Sequence, residues 1–242
     1  NYNQNSVQQP MYNPPQYQPQ AGMEPPPGYV QKSRVAAGIL AILLGTYGIH
    51  SFYLGKNSRV RYVEKHYGEG DGSGERILNP TTNVYMEEGS SCEMEMVQLR
   101  GVTSTVRDTN AELGANAKLV LTEKLLTHGN QTAISNMKVE LKGEGSSVQV
   151  ISRSVAQDDS VQVFNPLVIG ECACRGHVQC DAIIMDQGVV AAIPEVTANC
   201  VDASLVHEAA IGKIAGEQLI KLMTLGLTEK EAEEQIVNGF LK

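Results

Sequence analysis

Residues 146–170 read SSVQVISRSVAQDDSVQVFNPLVIG, and this stretch decides the predicted fold. Two short runs of β-branched and aliphatic residues, Ser147–Ile151 and Ser160–Phe164, flank a break at Asp158-Asp159. Short apolar runs bounded by turn-forming residues are typical of β-strands. The pattern recurs through residues 58–208, in Thr82–Met86, Lys118–Leu121, Lys138–Leu141, Val178–Met185, Val189–Ile193 and Ala203–His207.

The composition narrows the choice among all-β folds. Short, evenly spaced strands suit a sandwich, a barrel or a β-solenoid. The 242 residues include no Trp, only 3 Phe, and 23 Gly, so the core must be built from small aliphatic side chains. A thin core of that kind favours the solenoid.

The two ends of the chain differ from this central part. Residues 1–31 are rich in Asn, Gln, Pro and Tyr, which predicts a disordered tail. Residues 209–242 change to a helical period, with an apolar stripe that includes Ile211, Ile214 and Leu219. Leu225-Gly226 is expected to end the first of two helices, and Thr228 with Glu231 forms a capping box for the second.

An apolar segment lies between the tail and the strands. Residues 35–55 contain no Lys, Arg, Asp or Glu, and their length suits a membrane-crossing helix, so residues 32–57 are predicted as a hydrophobic helix. GIHSFYLGK at 48–56 resembles the signature of a small bacterial two-transmembrane domain family. The second hydrophobic helix of that family has no counterpart here, because residues 57–75 are polar and rich in glycine.

Charge and cysteine content limit the partners and the compartment. Residues 58–242 carry 16 basic and 26 acidic side chains, so nucleic-acid binding is not expected. Five cysteines are an odd number without the spacing of a disulfide framework. Reduced thiols in the cytoplasm are the simplest expectation. Membrane association through residues 35–55 stays open as an alternative.

From about residue 59 to the end, the chain resembles the SufB/SufD family of iron–sulfur cluster assembly scaffolds. The resemblance rests on several motifs taken together, which are RVRYVEKHYGEG at 59–70, VTSTVRDT at 102–109, SRSVAQDDSVQ at 152–162, GHVQCDAIIM at 176–185 and IPEVTANCVDASLVHEAAIGKIAGEQL at 193–219. It implies a right-handed parallel β-helix followed by two C-terminal helices. It also implies a scaffold without enzymatic turnover that holds an iron–sulfur cluster transiently, with iron as a further candidate ligand. The implied partners are a Suf-type ATPase, docked on the C-terminal helices, and a second scaffold subunit in a homodimer or with a relative.

The resemblance also implies candidate site residues. Cys180, within Gln179-Cys180-Asp181, matches a cysteine linked to cluster assembly, and His207 with Glu208 matches the proposed partners of that cysteine. Thiolates bind iron and accept sulfur, whereas an adjacent base takes the proton. Without the resemblance, Cys180 reads as a small core residue, and Glu208 as a residue that favours a helix N-terminus.

The stretch ECACRGHVQC at 171–180 suggests a metal site, but its spacing matches no standard zinc motif. Arg175-Gly176 is expected to turn the chain. Cys172, Cys174 and His177 are therefore only candidate additional ligands, and Cys92 and Cys200 are expected to be structural.

Two other functions stay open on the sequence. One is a membrane-anchored interaction module built on residues 35–55. The other is a carbohydrate-active enzyme on a β-helix, which the scarcity of aromatic residues argues against.

Overall fold

The computed structural model describes residues 49–68 and 74–242, and nearly all of this part is a parallel β-solenoid. The tail predicted for residues 1–31, and residues 32–48 of the predicted hydrophobic helix, lie outside the described residues. The strands are β1 (Ile49–Leu54), β2 (Arg59–Tyr67), β3 (Ile77–Leu78), β4 (Thr81–Met86), β5 (Ser91–Arg100), β6 (Ser104–Leu113), β7 (Lys118–Thr127), β8 (Thr132–Leu141), β9 (Ser147–Ala156), β10 (Val161–Gly170), β11 (Arg175–Ile184), β12 (Val189–Ala192), β13 (Glu195–Ala198) and β14 (Ser204–Gly212).

The chain alternates between two facing parallel sheets. Sheet A has the order β1-β4-β6-β8-β10-β12, with β3 beside β6 and β13 beside β10, and sheet B has the order β2-β5-β7-β9-β11-β14. Each coil contributes to both sheets, so paired positions lie about one coil apart along the chain, as Ser152, Cys180 and Ala209 do. This arrangement confirms the predicted solenoid.

Alternation along each strand builds the core. In β7 and β10 every second side chain is buried, because successive residues of a strand point to opposite faces. The interior is narrow and filled by aliphatic residues and methionine, as the low aromatic content predicted; its largest fully buried side chains include Met94, Leu113, Leu121, Val139, Val150 and Val178.

Left-handed residues form the corners between strands. Asn57, Asn116, Asp158 and Asp186 all have φ between 53° and 55°. Short polar side chains tolerate this conformation better than most because they bond locally to the backbone. The Asp158-Asp159 break therefore marks a turn, as predicted.

The structure corrects the predicted helix at its C-terminal end. Residues 49–54 form β1, which pairs in register with β4 from Ile49–Thr81 to Leu54–Met86. The turn that follows places Asn57 in the same conformation as Asn116 in a later coil. Within residues 49–68 and 74–242, no helix has the length and the apolar character needed to cross a bilayer.

The C-terminal boundary also moves. The expected helical region began at residue 209, but β14 continues to Gly212 because it follows the register of β11, with Ile211 opposite Ala182. Helix α1 spans Gly216–Thr224 and α2 spans Glu229–Phe240. The predicted capping box is present, since Thr228 accepts from the Glu231 N–H and Glu231 accepts from the Thr228 N–H.

Candidate functional site

The two faces of β11 separate the residues of the ECACRGHVQC stretch. Gly176, Val178, Cys180 and Ala182 point into the solenoid, whereas His177, Gln179 and Asp181 point outward. The strand begins at Arg175, so the expectation that Arg175-Gly176 turns the chain is wrong. Because no bulge interrupts β11, Cys180 and His177 lie on opposite faces.

Cys180 faces His207 from the final strand. In the register of β11 and β14, His207 lies opposite Val178, two residues before Cys180, so both side chains belong to the inner face. The Cys180 Sγ and His207 Nε2 atoms are 3.3 Å apart. This is hydrogen-bonding contact between a thiol and an imidazole that lie 27 residues apart in the sequence.

The surroundings of Cys180 keep its thiol protonated. The side chain is 4% exposed. Burial, followed by the negative charges of Asp181 and Glu123, raises the pKa of the Cys180 thiol to about 12. Its proton therefore leaves when a base accepts it or when a metal ion binds the sulfur.

Glu208 belongs to the other face of β14. Its Oε1 lies 3.0 Å from His177 Nε2, and both side chains are partly exposed to solvent. The three residues predicted as one site are thus divided between the faces of sheet B. Cys180 and His207 pair on the inner face, and Glu208 pairs with His177 on the outer face.

Cys172 and Cys174 lie in the turn before β11, whereas Cys180 lies in the middle of that strand. Cys174 is buried and Cys172 partly exposed. Within residues 49–68 and 74–242, no three His, Cys, Asp or Glu side chains are arranged to hold a metal ion.

A row of buried side chains that ends at Cys180 and includes two glutamates was not predicted. Glu64, Met96, Glu123, Ser152 and Cys180 occupy successive paired positions across sheet B, and all of them are buried. A signal for it exists in the sequence, because Glu123 stands among leucines at an inward position of β7.

Arg107 from sheet A neutralises this row. Its Nη1 lies 3.2 Å from Glu64 Oε1 and its Nε lies 3.6 Å from Glu123 Oε1. Burial alone would raise the pKa of Glu64, but the hydrogen bond to His66 and the charge of Arg107 outweigh it and lower this pKa to about 2. For Glu123 burial prevails, and its pKa is raised despite Arg107 and the hydroxyls of Ser135 and Ser152.

Two family models match parts of this chain. The family model described as the SufBD core domain of the SUF system for iron–sulfur cluster assembly matches residues 46–240. A second family model, the TM2 domain, matches residues 30–59, of which the structure assigns 49–54 to β1.

Relatives named iron–sulfur cluster assembly SufBD family proteins cover most of this chain. The protein from Methanothermobacter thermautotrophicus is 29% identical over 199 residues, which are 80% of this chain and 47% of the relative. The protein from Archaeoglobus fulgidus is 28% identical over 196 residues, covering 81% and 52%. The protein from Methanocaldococcus jannaschii is 31% identical over 191 residues, covering 78% and 60%.

The chain therefore spans about half the length of the curated relatives that it matches. The matched region is the solenoid with its C-terminal helices. It includes the Cys180–His207 pair and the His177–Glu208 pair. On the family model, which covers far more than half of the sequence, the chain belongs to the SufBD family of iron–sulfur cluster assembly proteins.

Proposed function

We propose that this solenoid is a scaffold on which Cys180 and His207 receive iron or sulfur during the assembly of an iron–sulfur cluster. The observation that carries the proposal is the 3.3 Å contact between Cys180 Sγ and His207 Nε2 across the last two coils. Thiolate and imidazole are both established ligands of cluster iron. The cluster is cargo that the scaffold releases to other proteins.

The two side chains divide the chemistry of loading between them. The buried thiol of Cys180, with its pKa near 12, stays protonated and unreactive until an acceptor arrives. When iron or a sulfur donor approaches the sulfur atom, His207 is placed to accept the thiol proton. The metal ion then takes the place of the proton on the Cys180 sulfur.

A second subunit would complete the site. Two protein ligands are fewer than the four that a cluster usually takes from its protein. His207 lies on β14, the edge strand of sheet B, and the outer edge of β14 has no neighbouring strand among the described residues. An unpaired edge is a template for pairing with another chain, so we infer a homodimer, or a pair with a related scaffold, joined at this end of the solenoid.

The C-terminal helices are the proposed contact for an ATPase subunit. Helix α1 exposes Ile220 and Met223, and Leu225 follows it at 77% exposure. Exposed apolar side chains grouped on one short helix are typical of a protein contact surface. Replacing Ile220 with Ser should weaken copurification with a Suf-type ATPase and leave the solenoid folded.

The central test is anaerobic reconstitution with ferrous iron and inorganic sulfide. Cys180→Ser and His207→Ala are each expected to lose most of the visible absorbance of the cluster. His177→Ala is the matched control, because the same residue type is removed from the opposite face of sheet B. Wild-type cluster absorbance in Cys180→Ser would refute the site.

A membrane-anchored module is the second candidate, favoured by the TM2 match at residues 30–59. Against it, β1 uses residues 49–54 of the apolar segment. Extraction of membranes with alkaline carbonate separates the two functions: a chain retained in the membrane pellet supports an anchor, and a released chain removes it.

A further inference from the structure

A second group of thiols lies at the corner between β10 and β11. Cys172 and Cys174 occupy the turn that joins these strands, with a bend at Cys172 and Ala173. On an extended strand, side chains two residues apart point the same way but are separated by about 6.6 Å of rise. The bend turns both side chains toward one rung of sheet A, formed by the paired residues Leu141 and Gly170. Cys172 Sγ lies 3.6 Å from the Leu141 carbonyl oxygen, and Cys174 Sγ lies beside Gly170.

Neighbouring coils hold this turn in place. The Gly145 N–H donates to the Ala173 carbonyl at 2.8 Å, and the Ser204 N–H donates to the Cys174 carbonyl at 2.9 Å. The turn is thus fixed from the coil before it and from the coil after it. The placement of the two thiols at this rung is therefore a property of the solenoid and not of a free loop.

Gly170 provides the space for the buried thiol. A Cβ atom at this position would lie 2.9 Å from Cys174 Sγ and 3.0 Å from Ala203 Cβ. Any larger residue would displace the sulfur from the corner. Cys174 is 4% exposed, whereas Cys172 is partly exposed, so one thiol of the pair is accessible and the other is enclosed.

A third thiol comes from the next coil. Cys200 follows Cys172 by one coil of the solenoid, and the turn that carries it is anchored by the Asn199 N–H, which donates to the Gly170 carbonyl at 2.8 Å. Burial, Cys172 and Cys200 together raise the pKa of Cys174. Cys200 therefore occupies the same corner as Cys172, one coil later, since Gly170 pairs with Ala198.

We propose that Cys172 and Cys174 form a dithiol that reduces sulfane sulfur to sulfide. The substrate class is a persulfide carried by another protein or by a small thiol. This inference rests on the proposed scaffold function, because sulfide is what a cluster requires and sulfane sulfur must gain two electrons to become sulfide.

The reaction balances with the residues present. In the first step, the Cys172 thiol takes the outer sulfur of a donor persulfide, R–S–SH, and the donor leaves as R–SH. In the second step, the Cys174 thiol attacks the inner sulfur of the Cys172 persulfide; a Cys172–Cys174 disulfide forms, the S–SH bond breaks, and H₂S leaves with the Cys174 proton. The two electrons come from the dithiol, and a dithiol reductant must reduce the disulfide before the next cycle.

Exposure assigns the order of the two cysteines. Cys172 can meet a donor from solution, whereas the enclosed Cys174 can meet only a group already attached to Cys172. Because Cys174 is enclosed, sulfide is released only after the sulfur atom has been transferred to Cys172. Cys180 lies well along β11 from this corner and takes no part in these steps.

The test uses glutathione persulfide under anaerobic conditions, without iron, with sulfide measured by a colorimetric assay and the protein by intact mass. Wild type should release one equivalent of sulfide above the background of a Cys172→Ser/Cys174→Ser double variant, and should lose two hydrogen atoms in mass. Cys174→Ser should release no excess sulfide and gain about 32 Da, one persulfide sulfur, at Cys172. Cys174→Ala repeats the test with a residue that suits a buried position, and far-UV circular dichroism checks both folds.

Two outcomes would overturn the proposal. One is wild-type sulfide release by both Cys174 variants. The other is a persulfide found on Cys180 or Cys200 of the wild type, with Cys172 unmodified. Reconstitution from inorganic sulfide tests the scaffold function separately. Cys180→Ser should still release sulfide from the persulfide but should lose most of its cluster. The double variant should release no excess sulfide but should still build a cluster from inorganic sulfide.

Discussion

Replacing Arg107 with Met tests whether the buried charges are a matched set. Arg107 is 3% exposed and is the cation between Glu64 and Glu123, which are 7% and 5% exposed. Methionine keeps much of the length of the side chain and removes the guanidinium. Breaking a buried ion pair by removing one partner costs about 3–5 kcal/mol, because the remaining charge is left without compensation.

The lowered pKa of Glu64, to which His66 and Arg107 both contribute, adds a dependence of stability on pH. Its folded-state pKa of about 2, against an ordinary value of 4.5, corresponds to about 3 kcal/mol of stabilisation at neutral pH. Because this pKa is lowered, the stabilisation is present above pH 4.5 and is lost as the pH falls toward 2. At pH 3 less than half of it, about 1 kcal/mol, should remain.

Equilibrium unfolding in urea, followed by far-UV circular dichroism at pH 7 and pH 3, measures both effects. The Arg107→Met variant should be less stable by about 3–5 kcal/mol at pH 7, with a smaller loss on going to pH 3 than wild type shows. Adding Glu123→Gln should restore part of the stability, since it removes one unpaired carboxylate. Lys142→Met removes a half-exposed cation that pairs with Glu112 and Glu140, and as a control it should cost no more than about 1 kcal/mol.

The result that refutes the reasoning is specific. If Arg107→Met lies within about 1 kcal/mol of wild type at pH 7, the three charges do not depend on one another as the distances indicate. If the double variant is less stable than the single one, Glu123 is not the group left uncompensated.

Four further predictions concern packing and reactivity. Leu121→Ala empties a fully buried position and should cost about 2–5 kcal/mol in urea unfolding, whereas Val201→Ala, at 97% exposure, should change stability by less than about 0.5 kcal/mol. Gly143→Ala places a Cβ against the backbone nitrogen of Ala115 and should lower the melting temperature, with a cost of about 1–3 kcal/mol; an unchanged melting temperature would contradict this close approach. Gly239→Ala, in α2 with open space around it, should raise helix stability by about 0.5–1 kcal/mol, seen as a higher melting temperature. With a pKa of about 12 against an ordinary 9, Cys180 should be alkylated by iodoacetamide at pH 8 about 1,000-fold more slowly in the native protein than in urea, and equal rates would show that its thiol is not protected.

The coils of the solenoid were predictable because their rules are local. Alternation of apolar and polar residues along β7 and β10, and turn residues such as Asp158-Asp159, act within a few residues of each other. The thin core followed from composition alone. The capping box at Thr228 is equally local, and it was predicted to the residue.

The wrong secondary-structure predictions concern segments whose structure is set by pairing between coils. Residues 49–54 show no regular alternation of apolar and polar residues, so a helix and a strand fit them equally well, and only the register with β4 favours the strand. Ile211 suits a helical stripe, yet its place opposite Ala182 keeps it in β14.

The candidate site depended on the same long-range information. That Cys180 meets His207, while Glu208 turns away to His177, follows from the length of the final coil and the parity of β14. The position of Cys200 one coil after Cys172 depends equally on coil length. Neither could be read from neighbouring residues, although a spacing of about one coil between chemically alike residues is a usable signal.

The bond between Cys180 and His207 joins the last coil to the one before it, and this gives cargo a mechanical effect. Terminal units of a solenoid have one neighbour instead of two, so they open most readily. Anything that binds both side chains binds only the closed end, and at a hundredfold excess over its dissociation constant it stabilises that end by about 2.7 kcal/mol. A loaded scaffold would then exchange the amide hydrogens of β14 more slowly than an empty one. A partner subunit that pairs with β14 would meet an ordered strand when cargo is bound and a frayed strand when it is absent.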